Sequence, residues 1–244
     1  MERELDNFIY YIKNEKHMSV NTEMSYRRDL LKLCKYEAEH GVHNVGQITA
    51  TNLTSFILDM EGKGFSPATI SRTIASVRAF IVWLYRDKKI DEDVSVVLKA
   101  PKVEKKKQTT LSSEEMFLLL DQPDETTYKG MRDKAMLELL YATGLRVTQL
   151  IELCMEDLNL KLGYVKCNQQ TIQIGREAQR SLAKYVTEAR NVFVKTGDSP
   201  LVFFNCSGTE MSRQGFWKML KGYAKQAGIN SEITPHTIRN SMKY

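Results

Sequence analysis

The amino-acid sequence predicts a mainly α-helical protein with one small β-hairpin, divided into two domains. Three observations predict it. The first ninety or so residues carry four apolar patterns at helical spacing, joined by short loops. An unperiodic, lysine-rich stretch follows over 99–110. Beyond it, two short β-like segments flank Asn168-Gln169 within a further series of helical patterns.

Composition sets the bounds. At 244 residues the chain holds one large domain or two of ordinary size, and its 42% hydrophobic and 27% charged shares suit a protein with a real core. No apolar run reaches membrane-span length, so no membrane partner is expected. Met1 to Asp6 lacks a basic segment leading into an apolar one, so no secretory signal is expected. Cys34, Cys154, Cys167 and Cys206 are scattered, and His17, His40, His43 and His236 do not cluster with them. That pattern indicates neither a disulfide framework nor a zinc site, and a reducing cytoplasm fits it. The net charge of +5 permits a polyanionic partner without demanding one.

In order, Glu2 to His17 reads as a first helix with Leu5, Phe8, Ile9 and Ile12 on one face. Ser19 or Asn21 caps a second, which runs to about His40 with Met24, Leu30, Leu31, Leu33 and Cys34 apolar; Gly41 ends it. Thr49 or Thr51 opens a third, bearing Leu53, Phe56, Ile57 and Met60 and closed by Gly62 and Gly64. Ser66-Pro67 gives a cap followed by proline at the first helical position, and the fourth helix extends to about Lys88. Its stripe is Ile70, Ile74, Val77, Phe80, Ile81 and Leu84. The arginines and lysines on these helices read, by themselves, as a solvated surface.

The boundaries expected are a helical domain over 1–98, a linker over 99–110 and a second domain over 111–244. The linker sets five lysines against Glu104. It suits a segment that tracks a phosphate backbone and equally a solubilising tether. Ser112-Ser113-Glu114-Glu115 then caps a short helix. Arg132 to Tyr141 is an amphipathic helix with Ala135, Met136, Leu139 and Leu140 apolar, stopped by Gly144 in a left-handed conformation. Val147 begins another helical run reaching Cys154. Arg146 thus stands at the mouth of a helix beside free amides, where an anion could be held. Alone, the corner does not separate an anion site from an ordinary turn. Gly163–Cys167 and Gln170–Ile174 form the hairpin, Gly175 to about Val194 is helical, Leu201–Phe204 is a short strand or turn, and Met211 to Ala227 is a last long helix.

Ala142-Thr143-Gly144-Leu145-Arg146-Val147 and, far downstream, Thr234-Pro235-His236-Thr237-Ile238-Arg239 resemble together the paired motifs of the tyrosine recombinases of the Xer and phage-integrase type. Ser19-Val20-Asn21-Thr22 leading to Tyr26-Arg27-Arg28-Asp29-Leu30, Ser66 to Arg72 through Phe80, and Pro200-Leu201-Val202-Phe203 are placed as that family places them. The resemblance implies an N-terminal four-helix, SAM-like core-binding domain ahead of an α+β catalytic domain. It implies duplex DNA as partner, with an inverted-repeat site and assembly into homo- or hetero-oligomers on it. Arg27, Arg28, Arg72 and Arg78, with linker Lys102, Lys105, Lys106 and Lys107, become candidate DNA contacts.

In the implied chemistry, a tyrosine attacks a phosphodiester and forms a 3′-phosphotyrosyl link. Arg146 and Arg239 occupy the positions of two arginines whose guanidinium forks match phosphate geometry and neutralise growing charge. His236 is implied as a further donor, and a hairpin lysine would protonate the leaving oxygen, with no metal or other cofactor. Lys166 is the nearby candidate for that lysine.

The sequence also departs from the family. Gln149 stands where an acidic residue is usual, three after the first arginine. The Gly-Lys-Gly-type hairpin tip is missing between Lys166 and Gln170, and Asn240-Ser241-Met242 replaces the common His-Ser-Phe. The sequence stops at Tyr244, before the segment expected to hold Leu-Gly-His, the nucleophile and an exchanged helix, which would weaken oligomerisation; Tyr244 is read as an ordinary terminal residue. The expectation is a DNA-binding protein of recombination or integration that does not cleave as it stands. The alternative is a non-enzymatic regulator or accessory factor on the same scaffold. A helical protein-interaction module without nucleic acid is disfavoured by the paired arginines and the basic linker.

Overall fold

The computed structural model describes residues 1–103, 109–195 and 199–242. The linker candidates Lys105, Lys106 and Lys107, and Tyr244, lie outside them. The chain is mainly helical with a small antiparallel sheet, and its contacts separate two units, Met1–Lys105 and Lys106–Tyr244. Among the described residues, no helix is long and apolar enough to cross a membrane.

The N-terminal unit is built on α1 (Glu2–Asn14), α2 (Val20–Glu39), α3 (Ala50–Gly62) and α4 (Pro67–Arg86). Ser19, rather than Asn21, caps α2 by accepting from the Thr22 N–H, and Thr49 rather than Thr51 caps α3. Ser66 caps α4 with Pro67 inside it. Such caps each contribute about 1 kcal/mol by satisfying an otherwise free amide. Leu5, Phe8, Leu30, Leu33, Leu53, Met60, Ile74, Phe80 and Leu84 are buried in one core.

Three expectations need correction here. Helix α1 stops at Asn14, because His17 turns left-handed (φ 48°) and Met18 N–H donates back to the Ile12 carbonyl. Helix α4 stops at Arg86 for a similar reason, Lys88 having φ 56°. Met24 and Leu31, named among the apolar residues of α2, are exposed; the buried residues of that helix include Asp29 and Glu37 instead.

The second unit begins with α5 (Ser113–Leu120), capped by Ser112, and is organised around α6 (Tyr128–Thr143). Helix α6 is longer than expected and is not amphipathic. Ala135, Met136, Leu137, Leu139 and Leu140 are all buried, because neighbours cover it on several sides. Its polar residues are buried in compensation: Asp133 accepts from Arg132 Nε (2.8 Å) and Nη2 (2.6 Å), Lys129 Nζ (3.0 Å) and the Tyr223 hydroxyl (2.9 Å). After α7 (Val147–Ile151), shorter than the run expected to Cys154, come β1 (Leu158–Asn159), β2 (Tyr164–Cys167) and β3 (Gln170–Gln173). Strand β1, which the sequence did not reveal, pairs antiparallel with β2 through Leu158 opposite Val165.

In the hairpin, Lys166 lies opposite Thr171 and Cys167 opposite Gln170. Asn168 and Gln169 both take positive φ (48° and 64°), as a two-residue hairpin turn requires. The helix expected over 175–194 is present and carries a π-turn: α8 (Arg176–Lys184) passes through Tyr185–Ala189 into α9 (Arg190–Phe193). The Tyr185 hydroxyl donates to the Val202 carbonyl and Arg190 to the carbonyls of Ser199 and Leu201, so both ends of the π-turn hold the segment around Leu201. Helices α10 (Arg213–Gln226) and α11 (Pro235–Asn240) complete the unit.

Candidate functional site

The corner after α6 forms as its glycine dictates. Gly144 takes φ 61°, ψ 21°, and its N–H closes the helix on the Leu140 carbonyl. Leu145 is buried and anchors the turn, which leaves Arg146 exposed at the cap of α7. The guanidinium has no partner among the described residues. Of the free amides expected at this helix mouth, the one on Arg146 itself is taken: its N–H donates to Gln149 Oε1 at 2.8 Å.

Helix α11 opens with a reciprocal cap, Thr237 N–H donating to Thr234 Oγ1 and Thr234 N–H to Thr237 Oγ1. Thr237 and Ile238 are buried, which turns His236 and Arg239 outward one helical turn apart. The Ser241 hydroxyl accepts from the Leu111 N–H at 2.7 Å, tying the end of α11 to the start of the unit.

The two motifs meet at Gly144. A Cβ placed on that residue would lie 3.7 Å from Arg239 Cγ and would collide with Met242 Sδ. The fold therefore puts the Arg239 helix directly against the corner that presents Arg146. Both arginines and His236 face solvent there without side-chain partners among the described residues.

The hairpin approaches the same corner through a different residue. Burial and the Asp157 charge push the Cys167 thiol up, and nearby Gln149 opposes them. Neighbours on a strand point to opposite faces. Val165 and Cys167 turn inward, and Lys166, between them, is exposed on the other face. Among the described residues, no three His, Cys, Asp or Glu side chains are arranged to hold a metal ion.

The candidates on the first unit divide. Arg28 and Lys102 are exposed without a partner among the described residues. Arg27 pairs at the surface with Asp6 at 2.8 Å. Arg78 donates to the Leu98 carbonyl. Arg72 donates through Nε and Nη2, both at 2.8 Å, to Asp29. Burial pushes the Asp29 carboxyl up, but hydrogen bonds from Arg72 and Lys32 outweigh it and hold the group below its ordinary value.

Sequence reasoning missed one further basic surface. Arg213, Trp217, Lys221 and Lys225 recur every four residues on the exposed face of α10, with Lys218 beside them, and Lys221 Nζ sits 4.0 Å over the Trp217 ring. The four-residue spacing is present in the sequence, on the side opposite the buried Phe216, Leu220 and Tyr223.

Comparison with known proteins agrees with this layout. Residues 5–88 match the N-terminal SAM-like domain of phage integrases, and residues 109–244 match the phage integrase family. The chain is similar to the tyrosine recombinase XerD of Oceanobacillus iheyensis, at 38% identity over 248 residues covering 99% of this chain and 83% of that protein. Tyrosine recombinase XerD of Staphylococcus haemolyticus is 36% identical over 246 residues, with 99% and 83% covered. The solved structure of the Tn1549 transposon integrase in complex with transposon right end DNA shares the fold, with a TM-score of 0.75 at 18% identity over 98% of this chain and 84% of that one.

Proposed function

Because this chain belongs to the phage integrase family of tyrosine recombinases, we propose that it binds duplex DNA at a site of recombination through Arg146, Arg239 and His236, and does not cleave it. The observation that supports the reading is the apposition of Arg239 to Gly144, which sets the Arg239 helix against the corner that carries Arg146; both arginines and His236 are exposed and unpartnered among the described residues. Two guanidinium groups suit a phosphodiester, because each offers a fork of donors in the geometry of two phosphate oxygens.

The proposal that cleavage is absent rests on Gln149 and the hairpin. A carboxylate at position 149 would orient and balance an arginine; a neutral amide whose oxygen is spent on the Arg146 N–H does neither. The two-residue turn leaves Lys166 on the outward face of β2, away from the side that meets Gln149. Proton donation to a leaving oxygen requires a positioned acid within hydrogen-bond reach.

The partner we propose is a short inverted-repeat duplex bound by two copies of the chain. Arg28, Lys102 and the basic face of α10 add backbone contacts that carry affinity rather than sequence information. Mobility shifts across a salt series test the reading: binding that weakens steeply with salt is expected, and no shift at low salt contradicts it. The same Gln149 and hairpin features favour a second reading, a regulator or accessory factor. It predicts that adding the protein alters recombination by a cleavage-competent relative on a shared site.

A further inference from the structure

Asp29 is fully buried midway along α2, and its oxygens take four donors. Oδ1 accepts from Arg72 Nη2 at 2.8 Å and Lys32 Nζ at 3.2 Å; Oδ2 accepts from Arg72 Nε at 2.8 Å and Ser76 Oγ at 3.4 Å. One carboxylate thus faces two cations, and the cluster keeps a net positive charge. A tether between α2 and α4 needs only Arg72. Lys32 is held as well, with its ammonium 5.2 Å over the Phe65 ring.

Both cations are fixed on their inner side and open on their outer side, with side chains 43% and 31% exposed. Arg72 Nη1 has no partner among the described residues. Lys32 spends one of its three ammonium hydrogens on Asp29. Arg28, one turn before Lys32 on α2, is exposed beside them and unpaired among the described residues.

We infer that Asp29 is a positioning residue for DNA, holding Arg72 and Lys32 as a preset pair of donors for one backbone phosphate. The inference rests on the DNA-binding reading above. Long cationic side chains lose rotamer freedom when they bind, and a pair already fixed in the free protein avoids much of that loss. A backbone contact of this kind is blind to sequence, so any duplex reports it.

The sign of one substitution separates positioning from simple charge. The Asp29 carboxylate by itself repels a polyanion, so Asp29→Asn strengthens binding if its charge is all that matters. Positioning requires the opposite. The test is fluorescence anisotropy of the full chain on a labelled mixed-sequence duplex across a salt series, with circular dichroism to confirm folding. Asp29→Asn and Arg72→Ala are each expected to weaken binding about tenfold, the loss of one charge-assisted hydrogen bond. The double variant is expected to bind no worse than Arg72→Ala. Arg72→Lys, which keeps the charge and loses the fork, is expected to weaken binding too, and it decides the matter if Asp29→Asn does not fold. Wild-type binding with Asp29→Asn as tight or tighter and Arg72→Lys unchanged overturns the inference and leaves the DNA reading standing. A wild type that binds no duplex at low salt removes the DNA reading, and this inference with it.

Discussion

Gly144 and Arg239 lie against each other: a Cβ on the glycine would stand 3.7 Å from Arg239 Cγ and would strike Met242 Sδ. The glycine therefore has two duties. It supplies the left-handed residue that ends α6, and it leaves the space in which the Arg239 helix sits. Gly144→Ala is expected to cost about 1–2 kcal/mol from backbone strain alone, and to weaken DNA binding beyond that by displacing Arg239. Urea unfolding and duplex titration measure the two effects separately. Unchanged binding in the folded variant would break the link between the glycine and the arginine.

Arg146 is exposed and its side chain supports nothing in the fold among the described residues. Arg146→Ala is expected to leave stability within about 0.5 kcal/mol of the wild type. The dependence of log affinity on log salt is expected to become shallower by about 0.9, the loss of one phosphate contact. A stability loss with an unaltered salt slope would make Arg146 a structural residue.

Much of this was legible before the structure. Ser66-Pro67 fixed the start of α4, since proline has no amide to leave unsatisfied at the first helical position. Gly144 stopped α6, and Asn168-Gln169 marked the hairpin turn. Arg146, His236 and Arg239 are candidates through the resemblance of two short motifs, and the fold adds that the Arg239 helix packs against Gly144. What stayed hidden depends on contacts between segments distant in sequence. Nothing local to Arg72 signals that its guanidinium is tied to Asp29, although an acid beside Leu30 and one turn before Leu33 was a clue on the apolar face of α2. Strand β1 is two residues long and exists only through its pairing with β2. Helix α6 looked amphipathic because its buried Arg132 and Asp133 satisfy each other.

Asp133 is buried and holds Arg132, Lys129 and Tyr223. Asp133→Ala leaves Arg132 buried without a counter-charge and is expected to cost about 3–5 kcal/mol. Tyr223→Phe removes one neutral donor and is expected to cost about 1–2 kcal/mol. Chemical denaturation of both variants checks the order, and equal losses would contradict it.

Glu37 is fully buried, and neither carboxylate oxygen has a hydrogen-bond partner among the described residues. Burial raises its pKa in the folded protein, against a smaller opposing effect of His40. The folded state then holds the proton more tightly than the unfolded state, so stability falls as pH rises from the ordinary carboxylate range through the raised value. Glu37→Met is expected to gain about 1–3 kcal/mol at pH 8, with the gain vanishing toward pH 4. Denaturation at both pH values measures the difference; an equal gain at each would mean that ionisation plays no part.

The most direct test of binding without cleavage uses a nicked suicide duplex that traps any covalent intermediate. The wild-type chain is incubated with it at low salt and resolved by native and denaturing electrophoresis in parallel. The account predicts a salt-sensitive complex on the native gel and free DNA on the denaturing gel. A protein–DNA adduct that survives denaturation would show that the chain cuts, and would contradict the account.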